Sequence, residues 1–139
     1  MNKFRILLGM LFLAAVMGFT SRVQAQNGPV MYFCEKYGSG GEESISDRFY
    51  TGYLTVMVKC DYALGLRDVY IQFDKYNPRT GAFDYYKRFS YTVKPDMKYI
   101  FFEKNSSSDM NFEDPGIYRV FLLDENKKTV ASALIEIIS

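Results

Sequence analysis

Aromatic and β-branched residues recur in seven short segments of the chain, and several of these alternate apolar and polar positions with a period of two. The segments are Val30–Tyr37, Tyr53–Cys60, Val69–Tyr76, Phe83–Val93, Met97–Glu103, Gly116–Asp124 and Thr129–Ile138. Side chains of a strand point to opposite faces in turn, so each segment predicts a strand with two distinct sides. In the second, Leu54, Val56, Val58 and Cys60 share one side, and Tyr53, Thr55, Met57 and Lys59 the other. The third puts Val69, Ile71 and Phe73 inward, with Tyr70, Gln72, Asp74 and Tyr76 outward. The fourth puts Phe83, Tyr85, Phe89 and Tyr91 inward, with Asp84, Tyr86, Arg88 and Ser90 outward. The stretches between, among them Gly38–Asp47, Asn77–Gly81, Asn105–Asp114 and Asp124–Lys128, are rich in Gly, Pro, Asn, Asp and Ser. Those residues supply the dihedrals and local hydrogen bonds of turns. Seven strands at this spacing predict an all-β fold, a two-sheet antiparallel sandwich.

The segment Asp114-Pro115-Gly116-Ile117-Tyr118-Arg119-Val120 resembles the D-x-G-x-Y-x-C corner of immunoglobulin-like domains. Asp114, Gly116 and Tyr118 match that pattern, and Val120 stands where the family often has a core cysteine. The resemblance implies that Tyr118 opens a strand and that its hydroxyl bonds back to the preceding loop. The chain departs from the family in having no tryptophan, and in placing both cysteines on its first two strands. The expectation is therefore a bacterial immunoglobulin-like or fibronectin III-like sandwich.

Residues 1–25 are set apart from this reading. Lys3 and Arg5 precede an apolar run from Ile6 to Phe19, and Val23-Gln24-Ala25 follows as a small-residue cleavage pattern. That order predicts a secretory signal peptide, cut after Ala25. Its apolar run of about 14 residues is shorter than the roughly 20 that span a bilayer. The Ala25-Gln26 junction resembles those of exported Bacteroidota proteins. The expected location is thus the periplasm or cell surface of a Gram-negative bacterium, with residues 26–139 forming one domain.

Charge narrows the partners. The full chain carries 17 Lys and Arg against 16 Asp and Glu; cleavage removes Lys3, Arg5, Arg22 and no acid, leaving 14 against 16. So even a balance gives no electrostatic footprint for nucleic acid or an anionic membrane. Cys34 and Cys60, in an oxidising compartment, fit one disulfide closing a loop of about 26 residues, for which chain entropy gives roughly 3 kcal/mol. Two buried free thiols are the alternative.

Chemistry is sparse. The chain contains no histidine, which removes Ser-His-Asp and Cys-His arrangements and the commonest metal ligand. Loop carboxylates at Glu42, Glu43, Asp47, Asp109, Glu113 and Asp114 leave acid-base catalysis or calcium binding conceivable, without the spacing of a known calcium loop. Gly38-Ser39-Gly40-Gly41 lacks the ending of a phosphate loop and reads as a flexible connection. Asn105-Ser106-Ser107 is formally a glycosylation acceptor. No enzyme signature, cofactor motif or metal site is implied.

A surface is implied instead. If the third, fourth, sixth and seventh strands share a sheet, its outer side carries Tyr70, Gln72, Tyr76, Tyr86, Arg88, Arg119, Phe121 and Leu123. Tyrosine and arginine beside apolar side chains are enriched at protein interfaces. The expected function is non-catalytic binding of another envelope protein through Tyr70, Tyr76, Tyr86, Arg88, Arg119 and Phe121. Addition of a partner strand to the last, nearly all-apolar strand is a second form of the same expectation. The alternative is a carbohydrate-binding module whose tyrosines stack on sugar rings.

Overall fold

The computed structural model describes residues 28–52, 54–103 and 112–139. The predicted signal peptide and most of the Asn105–Asp114 break, with its glycosylation acceptor and Asp109, lie outside them. Ten strands form in chain order: β1 Val30–Cys34, β2 Lys36–Gly38, β3 Gly41–Glu43, β4 Arg48–Tyr50, β5 Thr55–Lys59, β6 Asp68–Asn77, β7 Ala82–Thr92, β8 Tyr99–Glu103, β9 Gly116–Leu123 and β10 Thr129–Ile138. Among the described residues there is no helix, and so none long and apolar enough to cross a membrane.

All seven expected strands are present, and they sort into layers. The order β1-β5-β8 makes a three-stranded sheet, β4-β10-β9-β6-β7 a five-stranded one, and β2-β3 a separate hairpin. The four strands expected to share a sheet do so. A common core joins the two larger sheets: Phe33, Val56, Val58 and Phe102 from one meet Ile71, Phe73, Tyr118, Val120, Leu122 and Ile135 from the other. Val69, Ile71 and Phe73 are 1% exposed or less, as the alternation in β6 requires. The architecture is all-β with a sandwich-like core, but with ten strands in three sheets rather than seven in two.

β3 lies where only a loop was expected, β4 lies just past that loop, and β2 splits from the first expected strand, Val30–Tyr37, at Glu35. Ser39 and Gly40 make the turn of the β2-β3 hairpin, and Gly41 takes φ 102°, a value an L side chain rarely adopts. Gly38-Ser39-Gly40-Gly41 is therefore a hairpin tip instead of a flexible connection. β4 pairs parallel with Glu136–Ile138 of β10, so the last strand is edge-covered over three residues. Neither Glu42-Glu43 nor Arg48-Phe49-Tyr50 has the run length that signals a strand; contacts with other elements hold both in place.

The hairpin changes the burial of β5. Thr55 and Met57, on the side of β5 facing away from the main core, are 2% and 0% exposed. Tyr37 of the hairpin stacks on Phe101 of β8 at 4.5 Å, and Lys36 pairs with Glu43 at 3.4 Å.

The expected disulfide does not form. The β1-β5 register pairs Cys34 with Thr55 and Val30 with Lys59, so Cys60 sits at the opposite end of the strand pair. Five residues of strand separate them by roughly 16 Å, against the about 4.4–6.8 Å between Cα atoms that a disulfide spans. Both are buried free thiols.

Candidate binding face

The face assignment of β7 breaks at one residue. Along β6 and β7, Phe73 pairs with Lys87 but Asp74 pairs with Tyr85, which leaves Tyr86 as an extra residue in a β-bulge. A bulge shifts the side-chain alternation by one position. Beyond it Phe89 and Tyr91 pack on the core as expected. Before it the assignment reverses: Tyr85 is 63% exposed, while Tyr86 packs against the core. Sequence alternation alone could not locate this extra residue.

Tyr86 therefore leaves the outer face and joins the β9 corner. Its hydroxyl donates to Asp114 Oδ2 at 3.1 Å, and its ring meets Tyr118 edge-on at 5.2 Å. Tyr118, fully buried, donates its hydroxyl to the Asp114 carbonyl at 2.6 Å. This is the bond back to the preceding loop that the corner motif implies. Phe112 packs between, 5.1 Å from Tyr118 and 4.8 Å from Phe73. Burial raises both tyrosine pKa values, with the hydrogen bond to Asp114 as the next cause for Tyr86 and the Tyr86 charge for Tyr118.

The remaining expected residues are brought together. Registers place Gln72 between Arg88 and Phe121, and Asp74 between Tyr85 and Arg119. The Arg88 guanidinium lies over the Tyr70 ring at 5.2 Å. That of Arg119 lies 5.3 Å from the Phe83 ring and 6.0 Å from Phe121. Tyr76 packs against Phe83 at 5.5 Å with planes tilted by 56°. Phe83, expected inward, is thus a platform of the outer face. Leu123 is buried outside the main core cluster, and Leu134 of β10, opposite Arg119, is 50% exposed.

Of the loop carboxylates, Glu42, Glu43 and Asp114 are engaged structurally. Glu42 Oε1 accepts hydroxyl hydrogen bonds from Tyr32 and, at 2.6 Å, from Tyr99. The Tyr32 bond first, then that of Tyr99, lowers the Glu42 pKa to about 2. Burial first, then the bond to Glu42, pushes Tyr32 up to about 12; Tyr99 is raised by the same two causes. This clamp was missed by sequence reasoning. Its signal was the glycine-rich hairpin tip one residue before Glu42. Among the described residues no group of three His, Cys, Asp or Glu side chains could hold a metal ion.

Fold and face together define an all-β domain presenting an aromatic-arginine sheet surface. No protein-family model matches the chain, and no curated protein matches its sequence. Among solved structures it is similar to the PmoD soluble domain from Methylocystis sp., at 14% identity and TM-score 0.49, over 84% of this chain and 95% of that one. It is also similar to the Pseudomonas fluorescens alkylpurine DNA glycosylase AlkC bound to DNA containing an abasic site analog. That likeness has 16% identity and TM-score 0.40, covering 90% of this chain and 33% of that one.

Proposed function

We propose that this protein is an exported, non-catalytic binding domain that engages another envelope protein through the outer face of its five-stranded sheet. The observation that carries the reading is the layering of Arg88 on Tyr70 and of Arg119 on Phe83. Stacking on a ring fixes a long side chain in one place, so less conformational entropy is lost when a partner binds. The flanking rings and Leu134 offer apolar area around the two charges, a mixture typical of interface centres.

The finer fold reading is an immunoglobulin-like sandwich spanning 26–139, released by cleavage after Ala25. Its support is the Tyr118-Asp114 bond at the start of β9. Capture of envelope proteins tests the function. Tyr70→Ala/Phe121→Ala should lose a protein that wild type retains, whereas Tyr62→Ala, an exposed position off this sheet, should keep it. Equal capture by all three contradicts the proposal.

A further inference from the structure

The guanidiniums on this face share a second property. Among the described residues neither Arg88 nor Arg119 has a carboxylate within ion-pair distance, whereas Arg48 pairs with Glu136 at 3.2 Å on the same sheet. Two acids near them each accept a hydrogen bond from an amide. Asp74 lies opposite Arg119 in the register, yet accepts from the Gln72 amide at 2.9 Å. Asp84 accepts from the Asn77 amide at 3.1 Å.

A guanidinium stacked on a ring uses its flat face for that contact. Its N–H donors point outward in the plane, in the fork that fits a carboxylate. Arg88 and Arg119 each lie over a ring, at 5.2 and 5.3 Å, with no carboxylate within ion-pair distance among the described residues, which leaves N–H donors available to an anion.

The same stacking decides which anion bearer fits. A sugar ring binds by lying flat on an open aromatic face. Here the guanidiniums already lie over Tyr70 and Phe83, and Phe83 is tilted 56° from Tyr76, so these three rings offer no coplanar platform and Tyr85, 63% exposed, stands as a single open ring. Leu134, 50% exposed opposite Arg119, suits an aliphatic side chain instead.

We infer that the occupant of this face is an acidic segment of a partner protein, with carboxylates meeting Arg88 and Arg119 and an aliphatic side chain against Leu134. This rests on the binding-face reading above and adds the chemistry of the partner. Charge complementarity of this kind gives a salt-dependent affinity and a preference over oppositely charged segments.

The test uses fluorescence anisotropy with the full domain and three labelled probes. These are a peptide of Glu-Ser-Leu repeats, its Lys-Ser-Leu counterpart, and an oligogalacturonate that carries carboxylates on sugars. The glutamate peptide should bind, weaken at least about tenfold between about 50 and 500 mM NaCl, and weaken at least about tenfold with Arg88→Gln/Arg119→Gln. Thermal unfolding confirms that this variant is folded, and Arg88→Lys/Arg119→Lys, which keeps charge and loses the fork, should bind at an intermediate level. Equal binding of the two peptides, indifference to the arginine changes, no peptide binding, or binding of oligogalacturonate alone would each overturn the inference. Partner capture that needs Tyr70 and Phe121 but ignores salt and both arginines would sink the acidic-segment inference and leave the binding face standing. Capture indifferent to all four residues would remove both.

Discussion

Arg119 reaches from β9 across β6 to lie 5.3 Å from the ring of Phe83 on β7. Phe83 meets it on the outer face because the extra residue at Tyr86 reverses the alternation of everything before it in β7. A double-mutant cycle of Arg119→Ala and Phe83→Ala, read by urea unfolding, should give a coupling of about 0.5–1 kcal/mol. A coupling of zero would mean that the two side chains act independently.

The corner at β9 has a separable hydrogen bond and core contribution. Tyr118→Phe keeps the buried ring and removes the bond to the Asp114 carbonyl, which should cost about 0.5–1.5 kcal/mol. Tyr118→Ala also empties a site in contact with Phe112 and Tyr86 and should cost about 3–5 kcal/mol. Urea midpoints check both. Equal losses for the two variants would contradict the proposed division.

The hairpin clamp predicts a specific acid response. Glu42 has its pKa lowered from 4.5 to about 2 in the folded chain by the hydroxyls of Tyr32 and Tyr99. A depressed folded pKa contributes stability that is present above the unfolded value and lost as pH falls through the folded one. Melting temperature should therefore fall between about pH 4.5 and 2 more steeply in wild type than in Glu42→Gln. Parallel profiles across that window would show that the clamp contributes nothing.

Both cysteines should be reduced and shielded. Cys34 is fully buried, and burial, followed by the charge of Glu42, raises its thiol pKa; a raised thiol pKa slows alkylation. Mass spectrometry after alkylation should show two labels in denaturant without reductant, and slow labelling of the native protein. A native mass lacking two hydrogens, with no labels in denaturant, would restore the disulfide.

The strands were legible because their alternation reports burial directly: Val69, Ile71 and Phe73 needed no tertiary information to be placed. The corner was legible because Asp114, Gly116 and Tyr118 form a local pattern whose bond closes over four residues. Bulge and hairpin were not. An extra residue at Tyr86 is defined only by its partner strand, and β2-β3 is held where Tyr37 meets Phe101 and Glu42 meets Tyr99, both distant in sequence. The cysteine pairing failed for the same reason, since only the β1-β5 register fixes how far apart two residues on paired strands lie. Of the six residues expected on the face, Tyr86 alone turned inward, and Phe83, in exchange, turned out.

The outer face of the five-stranded sheet is proposed to receive a partner protein. The most direct measurement is quantitative affinity capture from envelope extract by wild type, Tyr70→Ala/Phe121→Ala and Tyr62→Ala, each shown to be folded by thermal unfolding. One protein should be retained by wild type and Tyr62→Ala and lost by the double variant. The same captured proteins from all three would contradict it.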